Sequence, residues 1–233
     1  MASSKIKGIT VEIGGDTTKL GKAIGDIEKQ SNSLKGELKQ VEKLLKMDDN
    51  MKIVGICGSP RDGASEYLLR LALSKLDEEE EFESELFTVR EKSISPCTHC
   101  NHCVENPGKC SIDDDMNEIY DALRQADGII MASPVHFGSI SSQLKAVIDR
   151  CQALIMEDTD IFKYKAGMSI VVGRDRSGGQ ELAIQQINAF YMLNKIIPIS
   201  GGSFGANLGA CLWSQDSGAE GVKSDEYGLE TLD

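Results

Sequence analysis

Positive charge is in short supply in this chain: 25 lysines and arginines face 37 aspartates and glutamates, for a formal net charge of -12. Such a surface repels polyanions across a Debye length, which argues against nucleic acid or an anionic membrane as partner. Long apolar runs are also lacking, so no segment is suited to cross a bilayer. The opening residues, MASSKIKGITVEIGGD, do not contain the apolar core of a secretion signal. A soluble, cytoplasmic protein is expected. The phosphate-loop pattern GxxxxGK followed by Ser or Thr is missing, as is GxGxxG, so neither an NTP nor a tightly held dinucleotide is suggested. No Ser-His-Asp or Cys-His order recurs in the motif loops, and side chains are not expected to act as catalysts themselves.

What is present begins with a compositional break. With 233 residues, 40% of them hydrophobic, the chain can bury one good core and a small appendage. Residues 1–50 form the appendage. IKGITVEIGGDTTKL reads as a short strand, a glycine turn and a helix cap at Asp16 or Thr17. From Leu20 to Leu45 apolar residues recur in a heptad register, with Ser31 at the missing step. The narrow stripe predicts an amphipathic helix that needs a partner, and residues 20–45 are the expected contact.

From Met51 onward strand-like and helix-like segments alternate, the mark of a parallel sheet covered on both faces. Strands are predicted at KIVGIC, EFESELFTV, DGIIMAS, GMSIVVG and KIIPIS, the second being charged enough for a sheet edge. Helices are predicted over 65–76, 113–125, SSQLKAVIDRC and GQELAIQQINAFYML. The fold class is therefore α/β, a flavodoxin-like three-layer sandwich with a five-stranded parallel sheet. SDEYGLETLD is expected to supply only the first turn of a closing helix, leaving one sheet face thinly covered. The acidic run Asp77 to Glu81 reads as a solvated turn between helix and strand.

Ligands of such sheets bind beyond the carboxyl ends of the strands. After the first strand, GSPRDGAS offers Gly58 and Gly63 for close bending, the hydroxyls of Ser59 and Ser65, and the cationic fork of Arg61. Together with a helix start, these are the parts of a mononucleotide phosphate cradle. After the third strand, Ser133, Pro134, Val135, His136, Phe137, Gly138 and Ser139 form a loop suited to packing against a planar ring. After the fourth, GRDRSGGQE brings Arg176, Gly178 and Gly179 to the same crevice. Three loops are thus expected to converge on one ligand.

Four of the seven cysteines lie in PCTHCNHCVENPGKC, residues 96–110. Cys97, Cys100 and Cys103 form CxxCxxC, which lets a curled loop aim three thiolates at three corners of a cubane cluster. Cys110 follows after a reversal at Pro107 and Gly108. Zinc is the rival, since four thiolates also make a tetrahedral site and His99 or His102 could substitute. The ferredoxin-like run favours a 4Fe-4S cluster, and a reducing cell disfavours disulfides. Cys57, Cys151 and Cys211 have no partner pattern and read as buried thiols.

The residues quoted above carry two resemblances. GSPR, SPVHFGSISSQLKAVIDR and RSGGQE resemble the NADPH-dependent FMN reductase superfamily, and with CTHCNHC and Cys110 the likeness narrows to the iron-sulfur flavoproteins of anaerobic archaea and bacteria, across residues 51–233. That resemblance implies FMN on Ser59, Arg61 and Ser65, its ring bordered by Pro134 to Ser139 and Arg176 to Gly179. It also implies a cluster on the four cysteines, a homo-oligomer, and a redox partner such as ferredoxin or NAD(P)H. His136 stands where the superfamily commonly has Tyr. Residues 1–50 resemble the start of phage tail tape-measure proteins. The leading expectation is a redox protein passing electrons between cluster and flavin, with the flavin as the reactive group. The alternatives are an NAD(P)H-dependent FMN or quinone-type reductase with structural zinc, and a phage-tail assembly fusion.

Overall fold

A computed structural model of the chain describes residues 50–200 and 208–232. The strand and heptad helix expected within residues 1–49, with their partner and the tape-measure likeness, lie outside the described residues. All described residues belong to one compact unit, Asp49–Asp233.

The sheet grows from apolar runs long enough to bury both faces. Strands β1 (Met51–Cys57), β2 (Phe82–Thr88), β3 (Gly128–Pro134), β4 (Ala166–Gly173) and β5 (Ile197–Ile199) pair in the order β2-β1-β3-β4-β5, all parallel. This is the flavodoxin order, with a switch point between β1 and β3. Inside β1 and β3 the period-2 alternation separates neighbours: Val54, Ile56, Ile129 and Met131 enter one core, Ile53, Cys57, Ile130 and Ala132 the other. Strand β2 occupies the edge, and its burial alternates until Phe87 and Thr88 go under the rim.

The first core is closed by helices α3 (Met116–Gln125), α4 (Ser142–Arg150) and α6 (Gln180–Leu193), through Ile119, Leu123, Leu144, Val147, Ile184 and Tyr191. The second is closed by α1 (Ala64–Asp77), through Leu68, Leu69 and Leu73, and by the C-terminal residues. The described remainder comprises the short helices α2 (His102–Glu105), α5 (Gln152–Glu157), α7 (Gly218–Lys223) and α8 (Glu226–Leu229), with 3-10 turns at Val89–Glu91 and Glu230–Leu232.

Three differences from the expected elements have physical causes. The sheet has a sixth strand, β6 (Ala210–Trp213), which pairs with Ile170–Gly173 while β5 pairs with Ala166–Met168. One edge position is therefore filled twice, and a four-residue strand next to Gly209 is too short to announce itself by alternation. Helix α3 starts at Met116, because Asp114 and Asp115 accept backbone N–H bonds from Ser95 and Ser93 and so belong to the preceding loop. Instead of one helical turn, the C-terminal residues form α7, α8 and a 3-10 turn, which bring Val222 and Leu232 into the second core. That face still carries an apolar groove of about 530 Å³, lined by Ile53, Leu76, Phe82, Met168, Ile199 and Leu232. Glu78 to Glu81 are exposed, in keeping with a solvated turn.

A buried carboxylate ties α1 to the segment after β2. Glu66 accepts from Arg90 at 2.8 Å and from Arg70 at 2.7 Å. The bond from Arg90, foremost, holds the Glu66 carboxyl below the ordinary carboxylate range against the opposing effect of burial. A depressed carboxyl contributes stability above its unfolded value, about pH 4.3, and loses it as pH falls through the folded value. Glu66→Gln is accordingly expected to lower the unfolding free energy at pH 7 by about 1.5–3 kcal/mol. In urea titrations the gap to the parent should close once the medium is acid enough to protonate Glu66.

Candidate functional site

At the rim, the loops after β1, β3 and β4 are fastened to one another before any ligand is considered. The Gly58 N–H donates to the Ala132 carbonyl, 2.8 Å, and the Gly58 carbonyl accepts from the Ser141 hydroxyl, 2.5 Å. Ser141 also caps α4, its oxygen accepting from the Leu144 N–H at 3.1 Å, while its own N–H donates to the Ser133 oxygen at 3.0 Å. Ser133, expected to face the ligand, is instead fully buried, and its hydroxyl donates to the Pro134 carbonyl at 2.9 Å. It builds the junction. Ser141, which reading of the sequence passed over, joins two of the three loops; its signal was a serine pair ahead of an apolar helical run.

The β3 loop is a tight turn. The Val135 N–H continues the ladder to Val172 at 2.9 Å, and His136 and Ser139 exchange backbone bonds of 2.9 and 3.0 Å around Phe137 and Gly138. Both central residues have positive φ, 50° and 75°, the signature of a type I′ turn, where Asn-Gly is favoured. A phenylalanine there is strained. Its ring is also fully exposed, and His136 beside it is exposed too. Ser139 donates to Gln186 on α6 at 2.8 Å, which fixes the base of the turn.

The β4 loop is organised by Gln180, a residue the sequence did not single out. Its amide accepts from the Gly178 N–H at 2.8 Å and donates to the Asp175 carbonyl at 2.6 Å. Gly179, at φ 98°, leaves no room for a side chain: a Cβ would stand 2.8 Å from Gly138 Cα. Two glycines thus let the β3 and β4 loops touch. Arg176 departs from the position expected of it. It lies over the Trp213 ring, 4.7 Å from the centroid, and 3.7 Å from Asp225, bordering a cavity of about 450 Å³ with Gln180, Trp213 and Tyr227. Indole and carboxylate draw the guanidinium toward the C-terminal segment.

The phosphate cradle divides into shaping and reserved groups. Ser59 shapes: its hydroxyl donates to the Arg61 carbonyl at 2.6 Å and accepts from the Arg61 N–H at 3.3 Å. Ser65, in the first turn of α1, is 97% buried, and its hydroxyl has no partner among the described residues. The exposed Arg61 guanidinium likewise has none there. An unpaired hydroxyl in the first turn of a 14-residue helix, preceded in the same loop by the exposed Arg61, fits a phosphate dianion.

The cysteine loop leaves β2 and returns at α3. Cys97, Cys100, Cys103 and Cys110 line one concavity of about 370 Å³ together with Ser111, Asp149 and Gln152. All seven cysteines are free thiols. The His99 N–H donates to the Cys97 sulfur at 3.4 Å, and Ser111 pairs with the Cys100 sulfur at 3.2 Å, which holds the Cys100 thiol below its ordinary value. Burial pushes Cys103 up. Among the described residues no three His, Cys, Asp or Glu side chains converge on one point as a single metal ion requires. The reversal before Cys110 is formed by Gly108, at φ 80°, whose N–H donates to Ala153 at 3.1 Å and whose carbonyl accepts from Arg124 at 3.0 Å. Burial raises the remaining thiols to about 11 for Cys57 and Cys211 and about 12 for Cys151, so they stay protonated at neutral pH.

Both ends of this loop meet one buried arginine. Arg150, the last residue of α4, donates from Nη1 to the Ser95 carbonyl and to Asp114, 2.9 Å each, and from Nη2 to the Ile112 carbonyl at 3.2 Å and to Asp114 at 3.0 Å. Burial pushes the Asp114 carboxyl up, but the bonds from Arg150 and from the Ser95 and Met116 N–H groups together outweigh it and hold Asp114 below its ordinary value.

The rim and its cradle define a flavodoxin-like protein that takes a phosphate-bearing ligand at the carboxyl ends of a parallel sheet. Comparison with known proteins gives the family: residues 51–210 match the one described as NADPH-dependent FMN reductase. The chain belongs to it and is an FMN-dependent oxidoreductase. It is 58% identical to an iron-sulfur flavoprotein of Archaeoglobus fulgidus over 180 residues, covering 77% of this chain and 91% of that one. An iron-sulfur flavoprotein of Methanocaldococcus jannaschii is 44% identical, with 78% and 91% covered. Among solved structures, apo NADH:FMN oxidoreductase EmoB superposes with a TM-score of 0.55 at 20% identity, covering 78% of this chain and 86% of that one; this likeness bears on the fold alone.

Removing the reserved hydroxyl with Ser65→Ala is expected to weaken FMN binding about tenfold, read by flavin fluorescence quenching. Phe137→Asn, which suits the type I′ turn, should raise the melting temperature of the flavin-free protein while lowering its affinity for FMN.

Proposed function

We propose that the protein passes electrons between an iron-sulfur cluster on Cys97, Cys100, Cys103 and Cys110 and FMN at the rim. The observation that carries this reading is the single concavity lined by all four cysteines. Zinc needs sulfurs drawn to about 2.3 Å from one centre. The four cysteines instead line a concavity of about 370 Å³ in which, among the described residues, no three converge as one ion requires, which suits a 4Fe-4S cluster. Relatives of 58% and 44% identity named iron-sulfur flavoproteins support it. FMN supplies two-electron hydride chemistry and one-electron exchange, and a cluster handles electrons singly.

In this reading the chain's residues hold and orient. Ser65, Arg61 and the start of α1 bind the phosphate, and Ser59 shapes the loop around it. The Phe137-Gly138 turn and Gly178–Gly179 border the ring. NAD(P)H or a ferredoxin-like protein is the proposed donor, and the cavity beside Gln180 and Trp213 offers room for a planar group. A homo-oligomer belongs to the proposal, supported by Leu182, Met192 and Leu193 standing exposed along α6.

The test is a visible spectrum of protein purified without air, with iron, acid-labile sulfide, zinc and flavin quantified on the same sample. Dithionite-bleached absorption with matching iron and sulfide is the expected result. Flavin with zinc and no sulfide would replace the proposal with a reductase carrying a structural metal.

A further inference from the structure

We infer that Arg150 is a positioning residue for the cysteine loop, holding the four thiols in register with the flavin rim through helix α4. This deepens the proposed function and rests on it for the identity of the group the loop holds. Among the described residues Arg150 is the largest fully buried side chain, yet its guanidinium is always charged. Each of its four terminal N–H groups has an acceptor, and every acceptor lies at the base of the cysteine loop: the Ser95 carbonyl two residues before Cys97, the Ile112 carbonyl two residues after Cys110, and both oxygens of Asp114. Asp114 in turn accepts from the Ser95 N–H at 2.9 Å and the Met116 N–H at 3.2 Å. One planar fork therefore closes positions 95 and 112 against each other, while no residue from Ser95 to Cys110 is itself buried.

The clamp is aligned from behind. The Tyr120 hydroxyl donates to the Arg150 carbonyl at 2.9 Å, anchoring the end of α4 to α3. At the other end of the same nine-residue helix, the Ser141 cap grips the Gly58 carbonyl and Ser133 in the rim. An α-helix rises about 1.5 Å per residue, so the two anchor points are on the order of 13 Å apart along a rigid rod. Cys103 and Cys110 are only partly buried against the first core and Gly108 is tied to Ala153 and Arg124, while the two ends of the loop take their placement from that rod.

The experiment compares the full chain with Arg150→Met, Arg150→Lys and Asp114→Asn. In metal-stripped protein, hydrogen exchange of residues 93–114 reads loop order. In anaerobically loaded protein, the electron paramagnetic resonance signal and midpoint potential of the cluster read thiol placement. Arg150→Met is expected to speed exchange at the Ser93 and Ser95 amides at least tenfold and to alter the cluster signal, with FMN binding retained and Cys57 and Cys151 still resistant to alkylation. Arg150→Lys should restore part of both effects. Should Arg150→Met expose Cys57 and Cys151, the same readouts on Asp114→Asn, which keeps the side-chain shape, decide the matter. Parent-like exchange and an unchanged cluster signal in the folded variants would overturn the inference. If the parent holds no iron and sulfide, the proposed function fails, and the exchange measurement alone decides whether Arg150 orders the loop.

Discussion

The ion pair between Arg150 and Asp114 sits where two requirements meet. No residue of the cysteine loop from Ser95 to Cys110 is buried, so the loop is not fixed by an apolar core of its own. Taking two charges out of water is expensive, and a buried pair is weak evidence of net stabilisation. Its value here is geometric. The four terminal N–H groups of the fork all find acceptors only when residues 95, 112 and 114 are assembled together, so the pair specifies one arrangement of the loop base. Nε is the one buried side-chain nitrogen or oxygen left without a partner among the described residues, a mark of how far the geometry of the fork has been given over to the loop.

The rim at the carboxyl ends of the strands is built on the opposite principle, with groups already satisfied framing groups held in reserve. Ser59, Ser133, Ser141 and Gln180 spend their hydrogen bonds on the protein and fix three loops without any ligand. Ser65 and Arg61 spend none. Phe137 stores local strain in an exposed turn, a state that persists because Val135, Ser139 and Gln186 over-determine the backbone around it. The result is a preorganised rim, in which ordering has been completed before any ligand arrives.

The strands were legible because a buried parallel strand writes an unbroken apolar run, and the rim loops followed from the sheet order. What escaped was decided by tertiary partners. Ser133 and Ser65 look alike in sequence, yet one hydroxyl is engaged by the Ser141 N–H and the Pro134 carbonyl and the other has no partner among the described residues. Arg176 was read toward the ring because it follows a crevice strand, and Trp213 and Asp225 claim it only once the chain has folded. Arg150 was not singled out from the predicted helix SSQLKAVIDRC. Its position three residues after Val147, on the apolar face of α4, was the available hint that it points inward.

Strand β2 bears on how the protein behaves among its neighbours. Among the described residues no strand pairs with its outer edge, where the Ser84 N–H is taken by Asp77, Glu83 and Glu85 stand exposed, and the acidic turn of Glu78 to Glu81 precedes it. A second copy approaching edge to edge would bring rows of carboxylates into opposition. The excess of negative charge thus serves colloidal ends, keeping the molecule dispersed at high concentration. That protection is strongest in dilute buffer and fades as salt shortens the reach of each charge.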